Sequence, residues 1–464
     1  MVYRQVLMAV LLLAAMALTA CRVLNPEPVP TLAAVATVPP AAVATEAPST
    51  AKPELPTAAS PTTEPTPEPT EQPLPAPTEA AAATAEPAEP QTGDLPVGIV
   101  YDLGEATIIQ DQFPEDSRFR EMPVQLNGVM AVPDGGDTPA WLSAPHPVVL
   151  ILHGTHPGCP VDDAGVDRWP CDPEVEQPNF MGFEYLVREL ADRGYVALAI
   201  NINAENTFGF GEPRPGQRLA QIVDLHLSAL AEAAAGGANN FGVDLEGVAD
   251  MRRLALFGHS RGGEMAVWLS GEEFGGQGLA ADYAFVNHGY GPVRGLLLVA
   301  PAVSILPPQA ATVPLGIILP ACDGDVLDLN GQVLYESVRL DDAANPPVVS
   351  VLLAGANHNG FNTILGGDMI PQTDRPDCET LLAPEMQQQF LIDFAADFLT
   401  TIFSPDPTAV LEASARLGQN VTAPAPDEVL GQSATVAVMP AAADRLPIMT
   451  PRHEAALTTN LLGG

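Results

Sequence analysis

The sequence predicts an α/β fold, a mostly parallel central sheet flanked by helices, and three observations carry that prediction. Short apolar runs of strand length alternate with longer segments of helical periodicity, the pattern of successive strand and helix units. The run LALF, residues 254–257, meets Gly258-His259-Ser260-Arg261-Gly262-Gly263 and continues into an apolar-periodic segment, which reads as strand, sharp turn and helix. Three further apolar runs, in HPVVLILHGTHPG, VPLGIILPACDGDV and VVSVLLAGANHNGF, end in polar residues. Open α/β sheets place their chemistry at such carboxyl ends of strands.

The chain opens with an export signal. Arg4 and the amino terminus precede an unbroken apolar run over residues 6–20, too short to span a bilayer and typical of a signal peptide. It ends in Leu18-Thr19-Ala20-Cys21, which resembles a bacterial lipobox. That resemblance implies lipidation of Cys21, an anchor in the cell membrane and a protein that faces outward. Residues 22–94 are rich in Pro, Ala, Thr and Glu with almost no aromatics, so they cannot bury a core and read as a disordered linker. Pro-rich tethers rise roughly 3 Å per residue, so this one reaches on the order of 200 Å at full stretch.

The domain is expected over residues 95–403. Within it, FEYLVRELADRGYVALAIN predicts a helix over 183–192 and a buried strand over 195–202. In QRLAQIVDLHLSALAEA, Leu219, Ile222, Val223, Leu227 and Leu230 form the apolar stripe of an amphipathic helix. His226 lies in that helix and reads as a packed or solvated residue. Residues 271–292, glycine-rich with Tyr283, Phe285 and Tyr290, fit a small lid or a surface excursion equally well. GLLLVAPA from Gly295 is the next strand, residues 332–340 read as a helix, and residues 383–403 as a final amphipathic helix with Met386, Phe390, Leu391, Phe394 and Phe398 packing back on the sheet. The tail, 404–464, has short apolar runs such as ATVAVM between prolines, and the sequence leaves it open between a small β appendage and disorder.

A serine in a turn of this kind is a candidate nucleophile. Gly258 and Gly262 let strand and helix approach closely around Ser260. Such a serine needs a base, an acid to orient the base, and donors for the oxyanion. His358 is the candidate base. Asp323 and Asp325, in the acidic turn after the run VPLGIIL, are the two candidate acids, and turn closure through backbone N–H groups is the role expected of Asp325. The backbone N–H groups of Thr155 and Arg261 are the candidate oxyanion donors. His259 is expected to point away from Ser260, His153 to shape the oxyanion loop, and His146, His156, His288 and His453 carry no pattern.

From about residue 123 to 403 the chain resembles an α/β-hydrolase of the dienelactone-hydrolase, cutinase and chlorophyllase-like kind, on HGT at 153–155, GHSRGG at 258–263, the acidic turn at Asp323 and GANHNGF around His358. The resemblance implies an α/β-hydrolase fold and a serine esterase that works through a Ser-His-Asp triad, without cofactor, on a small or polymeric ester. The resemblance implies Asp323 as the acid, since in relatives it lies nine residues after the Pro of a Val-Pro pair, here Pro314, and three before a Val, here Val326; the turn CDGDV departs from the common form GxxDxxV, which keeps Asp325 as the alternative. A peptidase or lipase on the same fold is the alternative within the enzyme class. A catalytically inactive cell-surface binding protein on a hydrolase fold is the alternative outside it.

Composition narrows the partners. The net charge is −38, and Lys52 is the only lysine. Acidity of this size argues against nucleic acid and against a basic face for anionic lipid, and suits a soluble surface domain. Apart from Cys21 there are four cysteines, an even count that favours disulfides in an exported protein. The expected pairs are Cys159 with Cys171, pinning the segment after the oxyanion loop, and Cys322 with Cys378, tying the acid turn to the loop after His358. No metal site is expected: zinc spacing is absent, and a calcium loop in DGDVLDLNG would place Val326 and Ser337 where carboxylates belong. The sequence leaves the oligomeric state open.

Overall fold

In a computed structural model of the chain, the described residues are 95–444 apart from 111–112, 118, 136–138, 162–168, 209–215, 273–287, 305–307, 342–345, 373, 422–423 and 442–443. The expected signal peptide, Cys21 and the linker lie outside them, as do most of 271–292 and the tail beyond 444.

Ten strands form the sheet: β1 Ile99–Ile109, β2 Glu121–Ala131, β3 His146–Leu152, β4 Val196–Ile200, β5 Ala249–His259, β6 Val293–Val299, β7 Leu315–Pro320, β8 Val348–Leu353, β9 Glu428–Val429 and β10 Gln432–Met439. Their order is β1-β2-β4-β3-β5-β6-β7-β8-β10-β9. The block β4-β3-β5-β6-β7-β8 is parallel throughout. Antiparallel strands close it on both sides, with β2 on β4 and β10 on β8.

The helices are α1 Glu184–Asp192, α2 Asn203–Phe208, α3 Gln217–Ala234, α4 Arg261–Glu272, α5 Gln332–Leu340, α6 Pro384–Phe403 and α7 Pro407–Arg416. They cover both faces of the sheet, which is why the parallel strands read as continuous apolar runs. Side chains alternate between the faces. Val148, Leu150 and Leu152 of β3 join the core that holds Leu219, Ile222 and Leu230 of α3, Met265 of α4 and Leu334 of α5. Val149 and Ile151 join the opposite core, with Leu186 and Leu190 of α1 and Phe390, Phe394 and Phe398 of α6.

The expected helices are where the sequence put them, at 332–340 and within a residue at 384–403, except that Met386, in the first turn of α6, is exposed and does not join the stripe on the sheet; the first begins as a 3-10 turn, Asn179–Phe183, before α1. Two parts were not foreseen. β1 and β2 form a hairpin whose alternation is interrupted by a bulge between Asp102 and Glu105. The boundary set at residue 403 moves, because α7 and β10 continue the same domain. β10, which contains ATVAVM, pairs with β8 from Ala434 opposite Leu353 to Met439 opposite Val348. Arg416 fastens α7 to α6 through Asp397, Nε to Oδ2 at 2.9 Å and Nη2 to Oδ1 at 2.6 Å.

Strand order reverses between β3 and β5: after β3 the chain adds β4 on one side, and β5 then pairs on the other. The crevice at their carboxyl ends is a topological switch point, the place where open α/β sheets bind ligands.

Candidate functional site

Ser260 stands at this crevice, between the end of β5 and the start of α4. Its φ is 56°, left-handed backbone that costs a non-glycine residue about 1–3 kcal/mol. The glycines around it are required by close approach. A Cβ on Gly258 would lie 2.3 Å from the Gly262 carbonyl oxygen, and one on Gly262 would lie 2.5 Å from that of Leu152. Strand, helix and the neighbouring β3 therefore converge on the serine.

The loop after β3 passes directly over it. A Cβ on Gly154 would sit 2.8 Å from Ser260 Cβ. His153 shapes this loop from within: its Nε2 accepts the Ile202 N–H at 3.0 Å and its Nδ1 donates to the Gly154 carbonyl at 2.8 Å. Burial pushes the His153 imidazole down to about 3, so the ring is neutral. From α2, Asn206 donates to the Gly154 carbonyl at 3.0 Å and accepts from the Thr155 hydroxyl at 3.0 Å. The same helix is held by a buried pair, Arg218 Nε to Glu205 Oε2 at 2.7 Å. Thr155 and Arg261, the candidate oxyanion donors, line one cavity with Ser260 and His358; its volume is about 580 Å³.

His358 follows β8 and Asp323 follows β7. His358 Nδ1 and Asp323 Oδ2 are 2.9 Å apart, and both side chains are only 1% exposed. A carboxylate only accepts, so Nδ1 carries the proton and Nε2 keeps its lone pair. Burial pulls the imidazole down, but the hydrogen bond to Asp323 and the charges of Asp323, Asp325 and Asp368 outweigh it, and the group titrates above its ordinary value.

Of the two aspartates left open, Asp323 is the one that reaches His358. The expectation that Asp325 closes the turn needs correction. Asp323 Oδ1 does so, accepting the N–H groups of Asp325 at 2.9 Å and Val326 at 2.6 Å. Asp325 reaches across to the base loop, where it accepts from Met369 N at 2.6 Å and Asn359 Nδ2 at 3.1 Å. It also lines the cavity. The reason is steric economy: the residue that orients the histidine is also the first in the turn, so its second oxygen already faces the following N–H groups.

Comparison with models of known protein families gives no match, and no curated protein matches the chain. The geometry must therefore carry the reading.

Two further histidines, His259 and His156, stand beside the candidate site. His259 does turn from the serine, and its Nε2 donates to the His358 carbonyl at 3.0 Å. Its Nδ1 is buried without a partner, and burial with the nearby histidines keeps it neutral. His156 lines the cavity, with its Nε2 buried and unpartnered. Burial, with His358 adding to it, pushes that imidazole down to about 4. Both nitrogens face the space beside Gly154, 3.1 and 3.2 Å from where its Cβ would be. The HGTH spacing is the only signal that could have singled out His156. His226 is buried in α3 with Nδ1 on the Tyr101 hydroxyl at 3.0 Å, His288 pairs with Asp224 at 3.0 Å, and His146 donates to the Gly194 carbonyl at 3.0 Å, all outside the cavity lining. His453 lies outside the described residues.

Asp368 was missed altogether. Its carboxylate accepts four hydrogen bonds: Gly324 N at 2.7 Å and His358 N at 2.9 Å on Oδ2, Asn357 Nδ2 at 2.7 Å and Asn359 N at 2.9 Å on Oδ1.

Both cysteine pairs form as expected. Cys159 bridges to Cys171 and Cys322 to Cys378, with Cα separations of 5.8 and 5.6 Å. The second bridge holds the residue before Asp323. Among the described residues no group of three His, Cys, Asp or Glu side chains could hold a metal ion, and no helix is long and apolar enough to cross a membrane.

Proposed function

We propose that this chain is a serine carboxylic-ester hydrolase of the α/β-hydrolase kind, exported and tethered to the cell membrane through a lipid on Cys21. The observation that carries the reading is the buried Asp323–His358 hydrogen bond, which opens on the same cavity as Ser260 at the sheet's switch point. His358 Nε2 takes the Ser260 proton as Oγ attacks the ester carbonyl, and the tetrahedral oxyanion is met by the N–H groups of Thr155 and Arg261. As the C–O bond breaks, His358 returns the proton to the departing alcohol and leaves an acyl-serine. Water, deprotonated by the same nitrogen, then hydrolyses the acyl-enzyme and regenerates Ser260. Asp323 keeps the imidazole in the Nδ1–H form and stabilises its charged state. The two disulfides agree with an oxidising, extracytoplasmic setting.

The test is a panel of p-nitrophenyl esters of increasing acyl length with an amide control, run beside labelling by a fluorophosphonate. Turnover of esters and a label mapped to Ser260 are expected. Hydrolysis of the amide alone would make the chain a peptidase, and absence of both turnover and label would leave a binding protein. A Ser260→Ala variant should lose labelling and roughly 10⁴-fold or more in rate.

A further inference from the structure

The acid and the base stand on different loops, one after β7 and one after β8, so their 2.9 Å contact depends on how those loops are held together. The backbone of His358 is held on both sides of its Cα. Its carbonyl accepts from His259 Nε2 at 3.0 Å and its N–H donates to Asp368 at 2.9 Å. The Asp368 oxygen that takes the His358 N–H also takes the Gly324 N–H at 2.7 Å, one residue after Asp323. A single atom thus joins the backbone of the acid turn to that of the base loop. The other oxygen secures Asn359 N and Asn357 Nδ2. Asp325 makes the reciprocal reach, from the acid turn to Met369 N and Asn359 Nδ2, and Ile370 N closes on the Gly324 carbonyl at 3.2 Å. Space is tight as well, since a Cβ on Gly324 would lie 2.4 Å from the Ile370 carbonyl oxygen and 2.7 Å from Asp368 Cβ.

Resting on the hydrolase reading above, we propose that Asp368 is a positioning residue of the site: its carboxylate fixes the acid turn against the base loop and so sets the geometry in which Asp323 orients His358. Charge-assisted bonds to backbone N–H groups are short and about twice as strong as neutral ones, which suits a clasp that must hold through proton transfer. The clasp also adds the Asp368 carboxylate to those of Asp323 and Asp325 near the imidazole. The titratable groups that face His358 are Asp323 and Asp325 from the acid turn, Asp368 from its own loop, His259 from the end of β5 and His156 from the loop after β3. Only the three carboxylates favour the imidazolium.

The test compares the full chain with Asp368→Asn, which keeps the shape and one acceptor oxygen, and Asp368→Ala, which removes both. Asp374→Asn, exposed in the same stretch of chain, controls for the lost charge. Steady-state kinetics on a p-nitrophenyl ester should show kcat lower by roughly 10- to 100-fold in Asp368→Asn, with KM little changed, because misplacing a reacting group by about 1 Å costs on the order of 10². The acid limb of the pH profile should move to lower pH, and the His358 ring, followed by NMR titration without any substrate, should move the same way. A purely structural role would lower the fraction of protein titrated by fluorophosphonate and leave both pH readouts in place. That result, wild-type kinetics in both variants, or failure of both to fold would overturn the proposal. A wild-type enzyme that neither turns over esters nor labels would instead refute the hydrolase reading, while the NMR titration would still report whether Asp368 governs His358.

Discussion

Asp323 and His358 meet through one carboxylate oxygen while the other is already committed: Oδ2 faces Nδ1 of the histidine at 2.9 Å, and Oδ1 faces the N–H groups of Asp325 and Val326. An asparagine at 323 cannot serve all these donors. If its oxygen keeps the backbone groups, its amide N–H₂ faces Nδ1 and drives the imidazole into the Nε2–H form, which cannot accept the serine proton. Asp323→Asn is therefore expected to lower kcat by roughly 10² to 10⁴-fold. Asp325→Asn, whose partners lie on the base loop backbone and on Asn359, should be much milder. The reverse order in steady-state kinetics would mean that Asp323 does not orient the base.

The pH profile follows from the same cluster. A protonated His358 cannot act as base, and its pKa is raised above 6.5 by the carboxylates around it. Activity should therefore be lost as pH falls through a value higher than that of a free imidazole, and be retained above it. An acid limb in kcat/KM below that of free imidazole would contradict the electrostatics described here.

Gly154→Ala tests the loop over the serine. The new methyl would press on Ser260 Cβ at 2.8 Å and on the unpartnered nitrogens of His259 and His156 at 3.1 and 3.2 Å. Labelling by fluorophosphonate should fall by about 10²-fold or more, since the reacting oxygen is displaced. Wild-type labelling kinetics would show that the loop yields.

Opening the disulfides should separate stability from activity. On chain-entropy grounds the Cys322–Cys378 bridge, with a sequence separation of 56, contributes about 4 kcal/mol and the Cys159–Cys171 bridge, with 12, about 3. Replacing Cys322 and Cys378 by Ala should also lower kcat, because Cys322 adjoins Asp323. Denaturant unfolding and kinetics on the two double variants check this; equal kcat in the first variant and wild type would detach the bridge from the site.

A chain ended at Phe403 loses α7 and β10, and with them the outer partner of the strand that leads to His358. Such a bare, apolar edge invites pairing with other chains. Residues 95–403 are expected to aggregate and residues 95–444 to stay soluble, by size-exclusion chromatography. A soluble, active 95–403 would make β10 dispensable.

Much of this arrangement could be read in advance. That Ser260, His358 and Asp323 leave the same edge of the sheet was legible because each follows an apolar strand. The cysteine pairs were legible from which loops needed bracing. Asp368 was not, because its partners are backbone N–H groups, which have no signature in sequence and meet only after β7 and β8 lie side by side. His156 was hidden in the same way, since a loop histidine acquires meaning from the cavity it lines. β1 escaped because its bulge between Asp102 and Glu105 breaks the two-residue rhythm that marks a strand.

The six parallel strands send all their carboxyl ends to one edge of the sheet, and every residue assigned to the site leaves from that edge, after β3, β5, β7 or β8. Among the described residues, none of those assigned to the candidate site lies at the opposite edge. The segment from Ala235 to Val248, which joins α3 to β5 there, is mostly exposed. An insertion into that connection would lie across the sheet from Ser260 and His358. The sheet thus separates a rim that carries the candidate site from a rim open to insertion.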